Sequence, residues 1–250
     1  MAADHARLAE LIRCARSVVA LTGAGISVPS GIPDFRSPGT GLWANVDPMA
    51  VAHISVWRSD PAGFWAFYGQ RFARLEGKLP NAAHRALAAL EQAGRLDAVI
   101  TQNIDGLHAA AGTRELIEVH GSIRTASCLA DGRTYPLAET RRRLAAAADG
   151  VPRCDCGAPL KPDVVLFGEL LDEAAITRAG ELARGAELMI VVGSSLEVQP
   201  VAGLPELTLG SGGRLAVVTR SATPFDAVAD VKLAGDVVEE LDGVLAALEL

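Results

Sequence analysis

Lysine is nearly absent from this 250-residue chain. Only Lys78, Lys161 and Lys232 occur, and Arg makes up the rest of the 23 basic residues. Aromatic residues are also few, at 4%, so the apolar weight lies in Ala, Val, Leu and Ile. Together with abundant Ala and Gly, this reads as the codon bias of a GC-rich genome and carries no functional signal. No run approaches the roughly 20 apolar residues that span a bilayer, which argues against a transmembrane helix. The segment from Met1 to Ser17 lacks the basic start, unbroken apolar run and small-residue cleavage site of a signal peptide. It carries Asp4 and Glu10 instead, with Leu8, Leu11, Ile12 and Ala15 on one helical face. A mature cytoplasmic start is the expectation. The four cysteines, Cys14, Cys128, Cys154 and Cys156, are too few and too unevenly spaced for a disulfide framework and fit a reducing compartment. A net charge of −7 argues against a general nucleic-acid binder. What remains is half hydrophobic and 21% charged, a composition that excludes disorder, in a chain long enough to bury a substantial core.

Six short β-branched runs are bounded by Gly, Asn or Ser: Ser17–Leu21, Ala98–Thr101, Leu116–Val119, Val164–Phe167, Leu188–Val192 and Leu215–Thr219. They show little alternation, as strands covered on both faces of a parallel sheet do. Helical patterns lie between most of them. Ser59-Asp60-Pro61 has the chemistry of a helix start, and Asn81 can cap a helix that runs to Ala93 and stops at Gly94. Strands alternating with helices predict an α/β, doubly wound, Rossmann-like sheet. Two segments break the rhythm, from about residue 37 to 95 and from about 121 to 161. They are read as insertions forming a smaller lobe, the larger lobe taking about 1–36, 96–120 and 162–250.

Leu21-Thr22-Gly23-Ala24-Gly25-Ile26-Ser27 directly follows the first strand. Two glycines there suit either close approach to a phosphate or a plain tight turn. The third glycine of an ordinary dehydrogenase fingerprint is missing, since Val28, Pro29 and Ser30 precede Gly31. More specific are Ser30-Gly31-Ile32-Pro33-Asp34-Phe35-Arg36-Ser37, then Thr101-Gln102-Asn103-Ile104-Asp105-Gly106-Leu107-His108, then Glu118-Val119-His120-Gly121-Ser122. Phe167-Gly168-Glu169, Gly193-Ser194-Ser195 and Thr223-Pro224-Phe225-Asp226 follow in order. Through these motifs the chain resembles, nearly end to end, the sirtuins, NAD-dependent protein-lysine deacylases.

The resemblance implies a single catalytic domain that uses NAD and acts on acyl-lysine proteins. The acyl oxygen of the modified lysine displaces nicotinamide from the ribose. A general base then helps a ribose hydroxyl receive the acyl group, giving O-acyl-ADP-ribose. It implies His120 as that base, with Asn103 and Asp105 positioning the ribose and carboxamide, and Gln102 and Ile104 lining the same pocket. Ala24, Gly25, Asp34, Phe35, Arg36, Ser194 and Ser195 would complete the cofactor site. On the adenosine side the family often carries Asn where Thr219 stands, with Ser221, Asp236 and Val237 nearby. Val165, Phe167 and Gly168 would meet an extended substrate peptide by strand addition. An unperturbed imidazole titrates near ~6.5, so a neutral His120 can accept a proton at cytosolic pH. Two rival uses of the pocket stay open: mono-ADP-ribosyl transfer, and non-catalytic NAD or ADP-ribose binding.

Other polar residues have blander readings. His84 packs or caps, His108 lies on a surface turn with a second polar group near the cleft as its alternative, Cys14 is a small core residue and Arg141-Arg142-Arg143 is a solvated helix face. Two departures from the family pattern matter. Its paired Cys-x-x-Cys zinc motif is altered here, with Asp131 three residues after Cys128 and Cys154-Asp155-Cys156 one residue short. Zinc accepts a carboxylate oxygen, so Cys128, Asp131, Cys154 and Cys156 form a candidate set if a tight turn lets Cys154 and Cys156 converge. The alternative is a lobe held by packing without metal. Second, Tyr68-Gly69-Gln70-Arg71 matches the Tyr-x-x-Arg of sirtuins that remove acidic acyl groups, whereas the segment around Ile32-Pro33-Asp34 resembles the deacetylase-like branches. Acetyl and succinyl or malonyl substrates both remain in play.

Overall fold

In a computed structural model of the chain, residues 2–34, 47–75 and 77–250 are described. Along them run α1 (Ala2–Cys14), β1 (Val18–Thr22), α2 (Pro48–Ala52), α3 (Ile54–Ser59), α4 (Pro61–Leu75), α5 (Ala82–Gln92), β2 (Ala98–Thr101), α6 (Leu107–Ala111), β3 (Leu116–Glu118), β4 (Gly121–Cys128), β5 (Thr134–Pro136), α7 (Leu137–Ala146), β6 (Leu160–Val164), α8 (Glu173–Gly185), β7 (Leu188–Val192), α9 (Leu204–Gly210), β8 (Arg214–Val218), β9 (Val231–Leu233) and α10 (Val237–Leu248). Six strands pair in parallel in the order β3-β2-β1-β7-β8-β9. Counted within the sheet this is third, second, first, fourth, fifth, sixth: the doubly wound order.

Both central strands are buried along their whole length. Val18 and Ala20 of β1, with Leu188, Ile190 and Val192 of β7, face a core built with α1, α5 and α10. Val19 and Leu21, with Met189 and Val191, face the opposite core under α8 and α9. Two covered faces explain why these strands read as unbroken apolar runs. Each fully buried Leu, Ile or Val is worth about 1.5–3 kcal/mol, so the two cores outweigh local devices such as the Asn81 cap, worth about 1 kcal/mol. That cap forms as expected, with Asn81 Oδ1 accepting from the amides of Ala83 at 2.9 Å and His84 at 3.4 Å. At the start of α4, Asp60 Oδ1 accepts from the Gly63 amide at 2.9 Å.

A second sheet is antiparallel, in the order β5-β4-β6. Here the sequence expectation needs correcting. Val164–Phe167 is not a strand of the parallel sheet: β6 ends at Val164 and pairs with β4, and Phe167 bridges to His53. A buried run in an antiparallel strand looks the same in sequence as one in a parallel strand. The sixth parallel strand is β9, only Val231-Lys232-Leu233, too short to show a pattern. Likewise α5, read with the insertion, buries Ala83, Ala86, Leu87 and Leu90 in the large-sheet core. Ile54, Trp57, Phe64, Trp65 and Phe72 pack with Ile123 and Val164 to form the core beside the small sheet. Trp57 and Trp65 both donate their indole N–H to the Leu160 carbonyl, at 3.2 and 3.0 Å.

Candidate active site

Strand order reverses between β1 and β7, and the crevice beyond their carboxyl ends is where open parallel sheets bind ligands. The two turns leaving these strands touch backbone to backbone. The Gly23 amide donates to the Val192 carbonyl at 3.0 Å and the Gly25 amide to the Gly193 carbonyl at 2.8 Å. A Cβ on Gly25 would sit 2.7 Å from that carbonyl oxygen, and one on Gly193 would run into the Ile26 amide. Gly193 also has φ +64°, a region glycine adopts without strain. The glycines of the first motif thus serve the junction of two turns, and the Gly25 amide is spent inside it. Ala24 and Gly25 are half-buried at its rim.

After β2 comes the Gln102–Asp105 segment. Asn103 is buried, its amide nitrogen donating to the Gly23 carbonyl at 3.1 Å and to Ser27 Oγ at 3.3 Å. The Ser27 hydroxyl donates to Asp105 Oδ2 at 2.7 Å, while Asp105 Oδ1 accepts from the Leu107 amide at 2.9 Å and starts α6. Gln102 donates its side-chain amide to Ser194 Oγ at 2.8 Å, and Ser194 Oγ also accepts from the Leu196 amide at 3.2 Å. Ser195 is half-buried beside it. Ile104 leans toward the small-sheet core, and its carbonyl accepts from Ile123 at 3.0 Å.

His120 follows β3. Its Nδ1 lies 3.0 Å from the Gln102 carbonyl, an acceptor, so Nδ1 carries the proton and Nε2 keeps its lone pair. Burial lowers its pKa below the usual histidine value, partly opposed by that hydrogen bond. A neutral imidazole with an available Nε2 is what a general base requires.

Beneath this row lies a polar cluster that the sequence did not expose. His84 Nε2 is 3.4 Å from Ser27 Oγ, and its Nδ1 accepts from the Asn81 amide at 3.4 Å. His108, expected on a surface turn, is instead 2% exposed. Its Nε2 meets Thr22 Oγ1 at 2.9 Å, and Thr22 donates to Thr101 Oγ1, which accepts from the Asn103 amide. The two rings contact edge to face at 4.9 Å. Burial drives both histidines to the neutral form, pushing His84 down to about 4 and His108 to about 3. The packing or capping read for His84 holds, since it is buried and accepts from the Asn81 amide. The long-range partners of Ser27, His84 and His108 escape sequence reading because they lie 57 to 86 positions away.

Beyond β8 and β9 stand the residues read as adenosine contacts. Thr219 is buried, its amide donating to the Leu233 carbonyl at 3.0 Å. Asp236 caps α10 through the Val238 amide and pairs with Arg220 at 3.0 Å, and Val237 is buried at the first helical position. Asp34 is half-buried. Phe35 and Arg36 lie outside the described residues.

The Val165 amide donates to the His120 carbonyl at 2.9 Å, placing the segment read as a peptide platform next to the candidate base. Both backbone groups of Phe167 are already paired, its N–H with Ala52 and its carbonyl with Ile54, each at 2.9 Å. The residue is 40% exposed, and Leu170 is 94% exposed. Gly168 has φ +81° and lies under the His53 ring, where a Cβ would not fit. Tyr68 packs between Phe64 and Phe72, and burial pushes its hydroxyl up to about 12. Arg71 lies flat on Phe67, 3.3 Å from the ring centroid, and donates to the Phe67 carbonyl at 2.8 Å. Arg71 thus engages its own helix, while Tyr68 also packs against the core that holds Ile123 and Val164.

In the small lobe, one ligand atom from each of Cys128, Asp131, Cys154 and Cys156 lies within 4.8 Å of the others. The turn the sequence required is there: the Gly157 amide donates to the Cys154 carbonyl at 2.9 Å, with Gly157 at φ +89°. Asp131 is held down to about 2, first by the Arg133 amide and then by neighbouring thiols, so it is ionised. Three sulfurs and a carboxylate oxygen make a four-donor set suited to zinc. Cys14, in contrast, is exposed and donates to Glu10 at 3.2 Å, so the core role read for it does not hold.

Among known families, the model of the Sir2 family matches residues 23–200. The NAD-dependent protein deacetylase of Haloarcula marismortui is 45% identical over 244 residues, 96% of this chain and 93% of that protein. That of Thermotoga maritima is 44% identical over 232 residues, covering 92% of each. A solved structure of a Sir2 protein with a p53 peptide and NAD+ superposes with a TM-score of 0.89 at 41% identity, covering 96% of both chains. Another, with a propionylated peptide, gives 0.88 at 40% identity over the same shares.

Proposed function

Because the chain belongs to the Sir2 family, we infer that it is an NAD-dependent protein-lysine deacylase with His120 as its general base. One observation carries the assignment of the base. His120 is fixed by Nδ1 on the Gln102 carbonyl, keeps Nε2 as its basic atom, and stands at the strand ends beside Asn103 and Asp105.

A dinucleotide suits the donor set. Gln102, Asn103, Asp105, Ser194, Thr219 and Asp236 follow one another past the ends of adjacent strands, a row of polar side chains. When bound, NAD supplies the glycosidic bond whose cleavage releases nicotinamide, leaving a ribose to take the acyl group. Asn103 and Asp105, both tied to Ser27, hold their side chains for the ribose and carboxamide. Gln102, locked to Ser194, lines the same wall and presents its carbonyl to His120. Nε2 of His120 then accepts the hydroxyl proton, which Nδ1 hydrogen bonding favours by stabilising the imidazolium.

The substrates are acyl-lysine peptides, carried by Val165, Phe167 and Gly168 beside His120. We take the acyl group to be acetyl or another short neutral chain, because Arg71 is engaged by Phe67. Zinc, held by Cys128, Asp131, Cys154 and Cys156, would have a structural role, since all four positions are filled by the protein. The chain is read as one catalytic domain with a larger lobe on the parallel sheet and a smaller one on the antiparallel sheet. Among the described residues no helix is long and apolar enough to cross a membrane. A cytoplasmic setting is our reading, supported by the four cysteines being thiols.

The test is adenosine-labelled NAD with an acetyl-lysine peptide. Label appearing in O-acetyl-ADP-ribose, with stoichiometric nicotinamide, is expected. Label on protein instead would turn the assignment toward ADP-ribosyl transfer, and absence of turnover would turn it toward a binding module.

A further inference from the structure

Lys161 is one of only three lysines, and it is 7% exposed. A buried ammonium is costly unless each of its protons meets an acceptor. Here three acceptors surround Nζ: the Val164 carbonyl at 2.8 Å, Glu169 Oε2 at 2.9 Å and the Pro162 carbonyl at 3.1 Å. Glu169 Oε2 also accepts from the Leu166 amide at 2.9 Å. One ion pair therefore binds three backbone groups between Pro162 and Leu166 and draws position 169 back over position 161. The chain between closes as a short arch: the Glu169 amide donates to the Leu166 carbonyl at 3.0 Å, Gly168 turns at φ +81°, and Phe167 and Gly168 are exposed. That arch is the platform assigned above to the acyl-lysine peptide, and its foot, Val165, is hydrogen-bonded to His120.

The geometry points to Lys161 and Glu169 as the positioning pair for the peptide platform, acting on peptide affinity and not on the cofactor. The inference rests on the deacylase reading. The hydrogen bonds of the two side chains go to each other and to the main chain of this segment. Their effect passes through the main chain of Pro162, Val164 and Leu166. Without the cation, two carbonyls and a carboxylate lose a shared donor, and the arch loses its fixed curvature. The backbone groups of Phe167 are taken by Ala52 and Ile54, so a peptide adding here needs the remaining groups of Val165 and Gly168 held in place, and its binding is sensitive to such a change.

The experiment measures affinity directly, so it does not depend on turnover. Binding of a fluorescent acetyl-lysine peptide and, separately, of NAD is titrated for the parent protein, Glu169→Gln, Lys161→Met and Lys161→Arg, with a melting curve for each. Glu169→Gln keeps an oxygen for the Leu166 amide and removes only the charge, so it guards against outright misfolding. Expected is a peptide Kd raised about tenfold or more in Glu169→Gln and Lys161→Met, the loss of one charge-assisted hydrogen bond's worth of ordering. NAD affinity should stay within about twofold, and Lys161→Arg, which keeps the cation, should recover part of the loss. Peptide affinity unchanged in both folded variants would overturn the proposal, as would parallel loss of peptide and NAD binding, the mark of general destabilisation. A parent protein that does not distinguish acetylated from plain peptide would overturn the deacylase reading itself and the proposal with it.

Discussion

The Ser27 hydroxyl donates to the Asp105 carboxylate at 2.7 Å, and the same oxygen receives the Asn103 amide at 3.3 Å. A residue from the turn after β1 thereby sets two side chains that follow β2. Ser27→Ala should leave Asn103 and Asp105 present but loosely oriented. Deacetylation should fall by about tenfold or more, since small misplacement of positioning groups is costly. The loss should appear in kcat more than in peptide KM, with the melting temperature little changed. Full turnover in the folded variant would show that the hydroxyl is dispensable.

His120→Ala should lower deacetylation by about 100-fold or more. The pH profile gives a sharper check. Burial holds the folded His120 below the usual value, and only the neutral ring accepts a proton. Activity is thus present above the folded pKa and lost as pH falls through it, so the acid limb of kcat/KM should lie below about 6.5. A limb above that value would mean that another group titrates.

His84 and His108 are held neutral down to about 4 and about 3. Unfolding returns them to about 6.5. Between those limits the unfolded chain binds more protons, so stability should fall as pH drops through that window. Melting curves of the parent and of His108→Gln would measure this, with the variant showing the shallower decline. Identical slopes would assign the acid sensitivity elsewhere.

Protein prepared without chelator should carry about one equivalent of zinc, and chelation should lower its melting temperature. Under chelator challenge Asp131→Ala should release its metal sooner than the parent and Asp131→Cys later, because a thiolate is the softer, stronger donor. Equal release in all three would remove Asp131 from the ligand set.

Arg71 is engaged on its own helix by the ring and the carbonyl of Phe67. Arg71→Met should therefore change acetyl-lysine and succinyl-lysine peptides to the same degree, measured as kcat/KM on matched sequences. A selective loss on the succinyl peptide would show that Arg71 leaves Phe67 to meet a carboxylate.

What was legible in the sequence was whatever chemistry sits close together along the chain. Ser17–Leu21 and Leu188–Val192 announce buried strands, Asn81 announces a helix start, and the motif around Asn103 and His120 stands out in a few residues. Long-range geometry was hidden. Val164–Phe167 looks like a parallel strand until its partner β4 is known. Gly193 matters because Gly25 lies against it, 168 positions away in the chain. The cysteines could be counted, but only the turn at Gly157 brings Cys154 and Cys156 to the same side as Asp131.

Two indoles on one carbonyl give the small lobe an intrinsic optical reporter. Trp57 and Trp65 both end on the oxygen of Leu160, the residue before Lys161 and a neighbour of Cys128 and Cys154 in the same apolar cluster. A carbonyl that shifts with the strand moves the hydrogen bonds of both chromophores at once. Their emission therefore reports loosening of β6, whether it begins at the thiol cluster or at the arch.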